Sequence, residues 1–246
     1  MTGVAEPRSP APAAVPATRI ASAGGAPGPL LGDGAEPLRR LLEELAAGSD
    51  WEVEIGFGKG RYLLRRASEE PAVRFLGVEL VGEYFRLAAR RAARRRLDNL
   101  VLLQGEAQYL LAAVLPRGFA RAVHVYFPDP WPKGRHRRRR LLDAQTVDLV
   151  LGLLRPGGRL LFASDHPAYG PAVATLLAGR RELVARRRSE VWDDGPRTNY
   201  EAKYVAAGRP IVRVEAELIE AVSAPPPAAA CGWCRDDDES QDEGRD

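Results

Sequence analysis

Apolar positions along this chain alternate between two periods. Short, nearly continuous apolar runs at Trp51–Ile55, Val73–Glu79, Leu100–Gln104, Ala122–Phe127 and Arg159–Ala163 read as buried strands. Between them, apolar residues recur every three to four positions over Gly60–Ser68, Glu83–Leu97, Ala107–Leu115, Arg137–Leu154 and Tyr169–Gly179, which predicts helices. Pro37–Gly48 predicts a short leading helix, with proline in its first turn and glycine after its end. A short helix around Thr198–Ala206 and a strand at Ile211–Ile219 close the pattern. This alternation predicts an α/β fold of Rossmann-like form, a mostly parallel central sheet with helices on both faces. Such sheets take ligands past the carboxyl ends of their strands.

The flanks break the pattern. Residues 1–35 are rich in Ala, Pro and Gly and carry almost no large apolar side chains, so they are expected to be disordered. Residues 222–246, with a Pro-Pro-Pro run and an acidic end, are expected to behave likewise. One folded domain over 36–221 remains, without internal repeats. No apolar run approaches the roughly 20 residues of a membrane span, and the start lacks the charged and apolar regions of a signal peptide. The expected location is cytoplasmic, without membrane contact. The two cysteines, Cys231 and Cys234, lie in CGWC near the end, and the three histidines show no ligand spacing; no metal is expected.

Charge changes the picture further. The net charge of +3 hides an acidic end: residues 235–246 carry −5, leaving +8 on residues 1–234. A basic body suits a polyanionic partner, because each neutralised phosphate releases counterions. A solvated charged face is the alternative reading.

Candidate chemistry falls at the strand ends. In Glu52-Val-Glu-Ile-Gly-Phe-Gly-Lys-Gly60 a strand runs into three alternating glycines, Gly56, Gly58 and Gly60, which allow a tight turn and close approach of a ligand to the backbone. Glu79 ends the next strand, where a carboxylate reaches ribose hydroxyls, and Glu106 follows the third, where an adenine amino group can be held. A dinucleotide site favours GxGxxG with helix amides free for pyrophosphate. Here the spacing is GxGxG, and a carboxylate at Glu54 repels pyrophosphate but tolerates a sulfonium-bearing zwitterion. S-adenosylmethionine fits better than a nicotinamide dinucleotide.

The fourth strand leads into Tyr126-Phe-Pro-Asp-Pro-Trp-Pro-Lys-Gly-Arg-His-Arg-Arg-Arg-Arg140. Three prolines in five residues stiffen the backbone and fix the directions of Asp129 and Trp131. Asp129 can accept hydrogen bonds from a guanine edge, and Trp131 offers apolar area to a base or to the core. From Lys133 to Arg140 there are six cations, Arg135 among them, together with His136, a composition suited to phosphates. The chain has 33 arginines and three lysines, Lys59, Lys133 and Lys203, all inside these motifs or the Thr198–Ala206 segment.

EIGFGKG, GVEL, FPDPWPKGRHRRRR, Gly157-Gly with Ser164-Asp165, and Thr198-Asn-Tyr-Glu201 occur in that order and resemble the tRNA (guanine-N7-)-methyltransferase family from Trp51 to Ile219. The resemblance implies a class I methyltransferase fold and methylation of N7 of a guanosine in the tRNA variable loop, usually position 46. It implies that Glu54, Gly56, Gly58, Gly60, Glu79, Glu106 and Asp129 line the S-adenosylmethionine site, with Asp129 also catalytic. It implies that Lys133, Arg135, His136, Asp165, Thr198, Asn199, Tyr200 and Glu201 contact the tRNA. Glu106 stands where the family commonly has Asp, and Asn199-Tyr200 varies the usual Lys-Phe. Bacterial members are monomers or homodimers, so no obligate protein partner is expected.

Three other readings remain. A methyltransferase for an exocyclic amine carries an Asp/Asn-Pro-Pro-aromatic loop here, a different arrangement from Asp129-Pro-Trp-Pro. A non-catalytic RNA-binding protein on the same fold has no need of an intact glycine loop and Asp129. A nicotinamide-dependent reductase is disfavoured by Glu54.

Overall fold

The computed structural model describes residues 35–48, 50–131, 140–144 and 146–222. The expectations for the two flanks, for CGWC and for Lys133, Arg135 and His136 fall outside those residues. Among the described residues no helix is long and apolar enough to cross a membrane.

A leading helix, α1 (Ala35–Ala46), precedes a seven-stranded sheet built from β1 (Trp51–Ile55), β2 (Arg74–Glu79), β3 (Leu100–Gln104), β4 (Ala120–Tyr126), β5 (Leu154–Ser164), β6 (Leu183–Arg188) and β7 (Val212–Leu218). The strand order is β3-β2-β1-β4-β5-β7-β6. Neighbours from β3 to β5 pair in parallel, and β7 runs antiparallel to both β5 and β6. The connecting helices are α2 (Arg61–Glu69), α3 (Gly82–Arg95), α4 (Ala107–Tyr109, continued by a π-turn over Leu110–Val114), α5 (Val147–Leu151), α6 (Tyr169–Ala178) and α7 (Asn199–Ala206).

Alternation along the strands explains the layers. Val53, Ile55, Leu76 and Val78 share one core with Leu45 of α1, Val150 of α5 and Val173 of α6. Phe75 and Leu102, of opposite parity, form a second core with Leu63 of α2 and Phe85 of α3. Strand β1, covered on both faces, is buried at all five positions. Its even-numbered residues, Glu52 and Glu54, therefore enter the α2 side of the sheet as buried carboxylates.

Two expectations need correction. Among the described residues of the helix expected over Arg137–Leu154, only Val147–Leu151 are helical, and Leu154 already begins β5. Asp143 and Thr146 exchange side-chain-to-backbone hydrogen bonds, Thr146 N to Asp143 Oδ1 at 3.0 Å and Asp143 N to Thr146 Oγ1 at 3.1 Å, which starts a new helix there. Strand β6 was absent from the sequence pattern, because Leu183-Val-Ala-Arg-Arg-Arg188 has too little apolar character to read as a strand. It is an edge strand, and Arg188 pairs with Glu215 of β7 at 3.4 Å.

Candidate active site

The β1–α2 turn carries the glycines. Gly56, Gly58 and Gly60 take φ of 75°, 54° and 72°, the left-handed region that favours glycine. A Cβ on Gly56 or Gly58 would meet nothing within 4 Å, so the turn faces open space on the ligand side. At Gly60 it would meet Leu64 and Ala88 at 3.2 and 3.3 Å, which ties the turn to α2 and α3. The carboxylate of Glu79 locks two loops together. Its Oε2 accepts from the Gly58 amide at 2.7 Å and its Oε1 from the Val81 amide at 2.8 Å. Glu106 caps α4 by accepting from the Tyr109 amide at 2.6 Å. Burial raises its pKa against that hydrogen bond.

The two glutamates of β1 share a strand and a face but not an environment. Burial pushes Glu52 up, but hydrogen bonds and charge from His124, Arg121 and Arg66 outweigh it and hold the pKa at about 2. His124 Nε2 lies 3.1 Å from Glu52 Oε2, and Arg121 donates to Oε1 at 2.7 Å. Among the described residues Glu54 has no such cation in contact. Burial, and then the charge of Glu79, push its pKa up to about 8, against the Leu63 amide and the distant charge of Arg197. Its Oε2 is buried without a hydrogen-bond partner. A buried, underpartnered carboxylate beside a glycine turn is matched by a cation-bearing ligand. Together with a turn left open by Gly56 and Gly58, it fits the ammonium and sulfonium of S-adenosylmethionine.

The Pro-Asp-Pro segment follows β4. Phe127, at φ 53°, and Trp131, at φ 39°, hold the left-handed region on either side of it, and non-glycine residues rarely do so without a reason. The Phe127 amide donates to the Ala163 carbonyl at 2.7 Å. On the far side Arg140 donates to the Pro130 carbonyl at 2.8 Å and to the Trp131 carbonyl at 3.3 Å. Its own carbonyl accepts from Gln108 Nε2 at 3.0 Å, and its guanidinium lies 5.1 Å from the Tyr169 ring centre. Asp129 is exposed on the loop so clamped. Arg140, read in the sequence as one of six cations suited to phosphates, is instead a clamp on this loop.

The Thr198–Glu201 segment reaches the same place. Tyr200 is 58% exposed and lies in a three-ring array, 6.5 Å from the ring centre of Phe127 and 6.2 Å from that of Tyr204. Thr198 caps α7 by accepting from the Glu201 amide at 3.0 Å, and Asn199 accepts from Arg61 at 3.2 Å. Asp165, just after β5, pairs with Arg209 at 3.2 Å. Glu201 corrects an expectation: it is fully buried, accepting from Arg213 at 2.7 Å and from the Arg197 amide at 2.8 Å, so it holds the segment from behind and does not face a substrate.

Sequence reasoning missed Arg197. Its guanidinium lies 4.4 Å from the Trp192 ring centre and 5.0 Å from that of Tyr62, pairs with Asp194 at 2.9 Å and donates to the Tyr126 hydroxyl. It thereby pins the residue before Thr198 to β4 and α2. Its one sequence signal is its place beside Thr198.

Parallel strands with one antiparallel return, a glycine turn and an acidic residue at the next strand end define a class I S-adenosylmethionine-dependent methyltransferase. Residues 50–214 match the family model described as "Putative methyltransferase". The chain is 37% identical over 171 residues to the tRNA (guanine-N(7)-)-methyltransferase of Nocardia farcinica, covering 65% of this chain and 64% of that protein. It is 36% identical over 175 residues to the enzyme of the same name from Paramagnetospirillum magneticum, covering 70% and 73%. In fold it is similar to a variant of the 16S rRNA (adenine(1408)-N(1))-methyltransferase of Catenulisporales acidiphilia crystallised with cosubstrate SAM. That similarity has a TM-score of 0.53 and 18% identity over 74% of this chain and 92% of the other. The chain belongs to the tRNA (guanine-N7-)-methyltransferase family.

Proposed function

We propose that the protein transfers the methyl group of S-adenosylmethionine to N7 of a guanosine in tRNA, at position 46 of the variable loop. The observation that carries the proposal is the exposed Asp129 on its clamped loop after β4, next to the β1 end where Glu54 keeps a buried Oε2 without a hydrogen-bond partner.

S-adenosylmethionine, when bound, supplies a methyl group activated by a sulfonium. Glu54, Gly56, Gly58, Glu79 and Glu106 would hold it, Glu79 at the ribose and Glu106 at the adenine. Asp129 closes the same site from the β4 side. Guanine N7 carries a lone pair and no proton, so its methylation needs no general base. The residues have only to orient the base and exclude water, and positioning of this kind lowers a barrier by up to about 7–11 kcal/mol. Asp129 accepts from the guanine N1–H and N2–H edge, and Tyr200 offers a ring face for stacking. Thr198, Asn199 and Asp165 contact the adjoining backbone, together with Lys133, Arg135 and His136.

The unit of function is one domain over 36–221, acting in the cytoplasm as a monomer or homodimer without an obligate protein partner. Asp129→Ala tests the central assignment. Turnover on tRNA should fall at least roughly a hundredfold, the scale of a lost transition-state contact, while affinity for S-adenosylmethionine changes within a few-fold. Near-normal turnover would remove Asp129 from its role.

A further inference from the structure

The arginines of this protein sort into two populations. Some are neutralised: Arg159 and Arg188 both pair with Glu215, at 3.0 and 3.4 Å, and Arg65 pairs with Asp194 at 2.5 Å. Helix α3 is different. Its sequence Gly-Glu-Tyr-Phe-Arg-Leu-Ala-Ala-Arg-Arg-Ala-Ala-Arg-Arg carries five arginines and one acid, Glu83, and Arg96 follows directly. Arg86, Arg90, Arg94, Arg95 and Arg96 are exposed, and among the described residues none of them pairs with a carboxylate. Burial of Phe85, Ala88 and Ala92 fixes the opposite face of the helix against the sheet, so the cations are held outward. Five like charges along one helix repel one another, a cost with no return inside the molecule.

Helix α3 does not stand alone. A cleft of about 670 Å³ lies between it and α2, lined by Arg91 and Arg95 on one side and by Arg61 on the other, where Arg65 is already paired with Asp194 and, at 3.6 Å, with Glu69. Lys59 of the glycine turn and Asn199 of α7 close its upper end, and Glu69 is the one carboxylate on its wall. Arg91 donates to the Lys59 carbonyl at 2.9 Å, which joins the cationic helix to the turn of the active site. From Arg86 to Arg95 the helix rises about 13 Å at 1.5 Å per residue.

We infer that the α2–α3 face is a phosphodiester-binding surface that seats the tRNA backbone away from the methylated base. The inference rests on the proposed activity for the identity of the RNA. A backbone track fits better than a small-anion site, because the exposed Arg86, Arg90 and Arg94 follow one another at one-turn spacing along α3 and Arg91 ties that helix to the glycine turn. It gives the enzyme affinity for the tRNA body without reading sequence, leaving base selection to Asp129 and Tyr200.

The test replaces Arg90, Arg94 and Arg95 together, first by Ala and then by Lys, in the full chain. All three are exposed, and Ala favours a helix, so the fold should persist. Binding of unmodified tRNA is measured by filter retention from 50 to 300 mM KCl, with S-adenosylmethionine affinity in parallel. The Ala variant should bind tRNA at least roughly tenfold more weakly at 100 mM KCl, and its log–log salt slope should be shallower by about 2–3 units. The Lys variant should keep most of both, since a phosphate accepts a point charge, and affinity for S-adenosylmethionine should be unchanged in each. Unchanged tRNA affinity and salt slope in the Ala variant would overturn the inference. If the wild-type protein methylates tRNA and the slope does not move, the surface is wrong and the activity stands. If the slope moves but no methyl is transferred by the wild-type protein, the activity is wrong and the surface stands.

Discussion

Glu54 supplies the sharpest consequence of the site's electrostatics. Its pKa of about 8, raised first by burial and then by Glu79, leaves it protonated in most molecules at neutral pH. A cation-bearing ligand needs the carboxylate. With the pKa one unit above pH 7, about a tenth of the sites are ionised, and forcing the rest costs about 1.4 kcal/mol. At pH 6 the cost doubles. Affinity for S-adenosylmethionine should therefore strengthen about tenfold from pH 6 to pH 7 and level off above pH 8, and binding at pH 7 should release about 0.9 proton. Calorimetric titrations at pH 6, 7 and 8, in buffers of different ionisation enthalpy, read both quantities. The ligand's own α-amino group titrates near pH 8, so Glu54→Gln is the needed comparison: its affinity should lack the rise that Glu54 causes. Equal pH profiles for the two proteins, or no proton release from wild type, would refute the reasoning. The same group sets a stability trend. Its folded pKa lies above the unfolded value of about 4.5, so the unfolded chain holds fewer protons between about pH 4.5 and 8. Stability falls as pH rises through that window, and Glu54→Gln should be the more stable protein at pH 9.

The packing and clamping residues give further tests. A Cβ on Gly77 would overlap Leu63 and stand 2.7 Å from Phe57, so Gly77→Ala should lower stability by about 1–3 kcal/mol and weaken S-adenosylmethionine binding through Phe57 in the glycine turn. A chemical denaturation midpoint within error of wild type would contradict that. Arg140→Ala removes two charged hydrogen bonds from the Pro130–Trp131 loop, and kcat should drop roughly tenfold to a hundredfold at little change in cofactor affinity; unaltered kcat would show that the loop holds without it. Arg213→Met strands the fully buried Glu201 without its ion-pair partner, so unfolding free energy should fall by about 3–5 kcal/mol. A loss below about 1 kcal/mol would mean that the Arg197 amide alone satisfies Glu201.

The periodic parts of the fold could be read from the chain, because the β2 and β3 runs are apolar on both faces and the β1 and β4 runs keep strand-length apolar alternation despite Glu52, Glu54, Arg121 and His124. The glycine turn with Glu79 was legible for the same local reason: residue types whose backbone or charge has one use at a strand end. What the pattern did not carry was tertiary. Strand β6 is stabilised by pairing along β7 and by Arg188–Glu215, neither of which leaves a mark on periodicity. The late start of α5 depends on a reciprocal pair of side-chain hydrogen bonds between Asp143 and Thr146 within a stretch of helical periodicity. In the sequence Arg140 reads as a phosphate-binding cation and Glu201 as a substrate contact, and Arg197 carries no signal beyond its place beside Thr198. Their neighbours, the Pro130 carbonyl, the Trp192 and Tyr62 rings and Arg213, make them structural, and those contacts exist only after folding.

The most direct test of the account is methyl transfer from labelled S-adenosylmethionine to unmodified tRNA, with the product nucleoside identified by mass after digestion. The account predicts 7-methylguanosine, and predicts that the signal disappears when the variable-loop guanosine is replaced. Label on adenosine or on an exocyclic amine, or an undiminished 7-methylguanosine signal from the substituted tRNA, would contradict it.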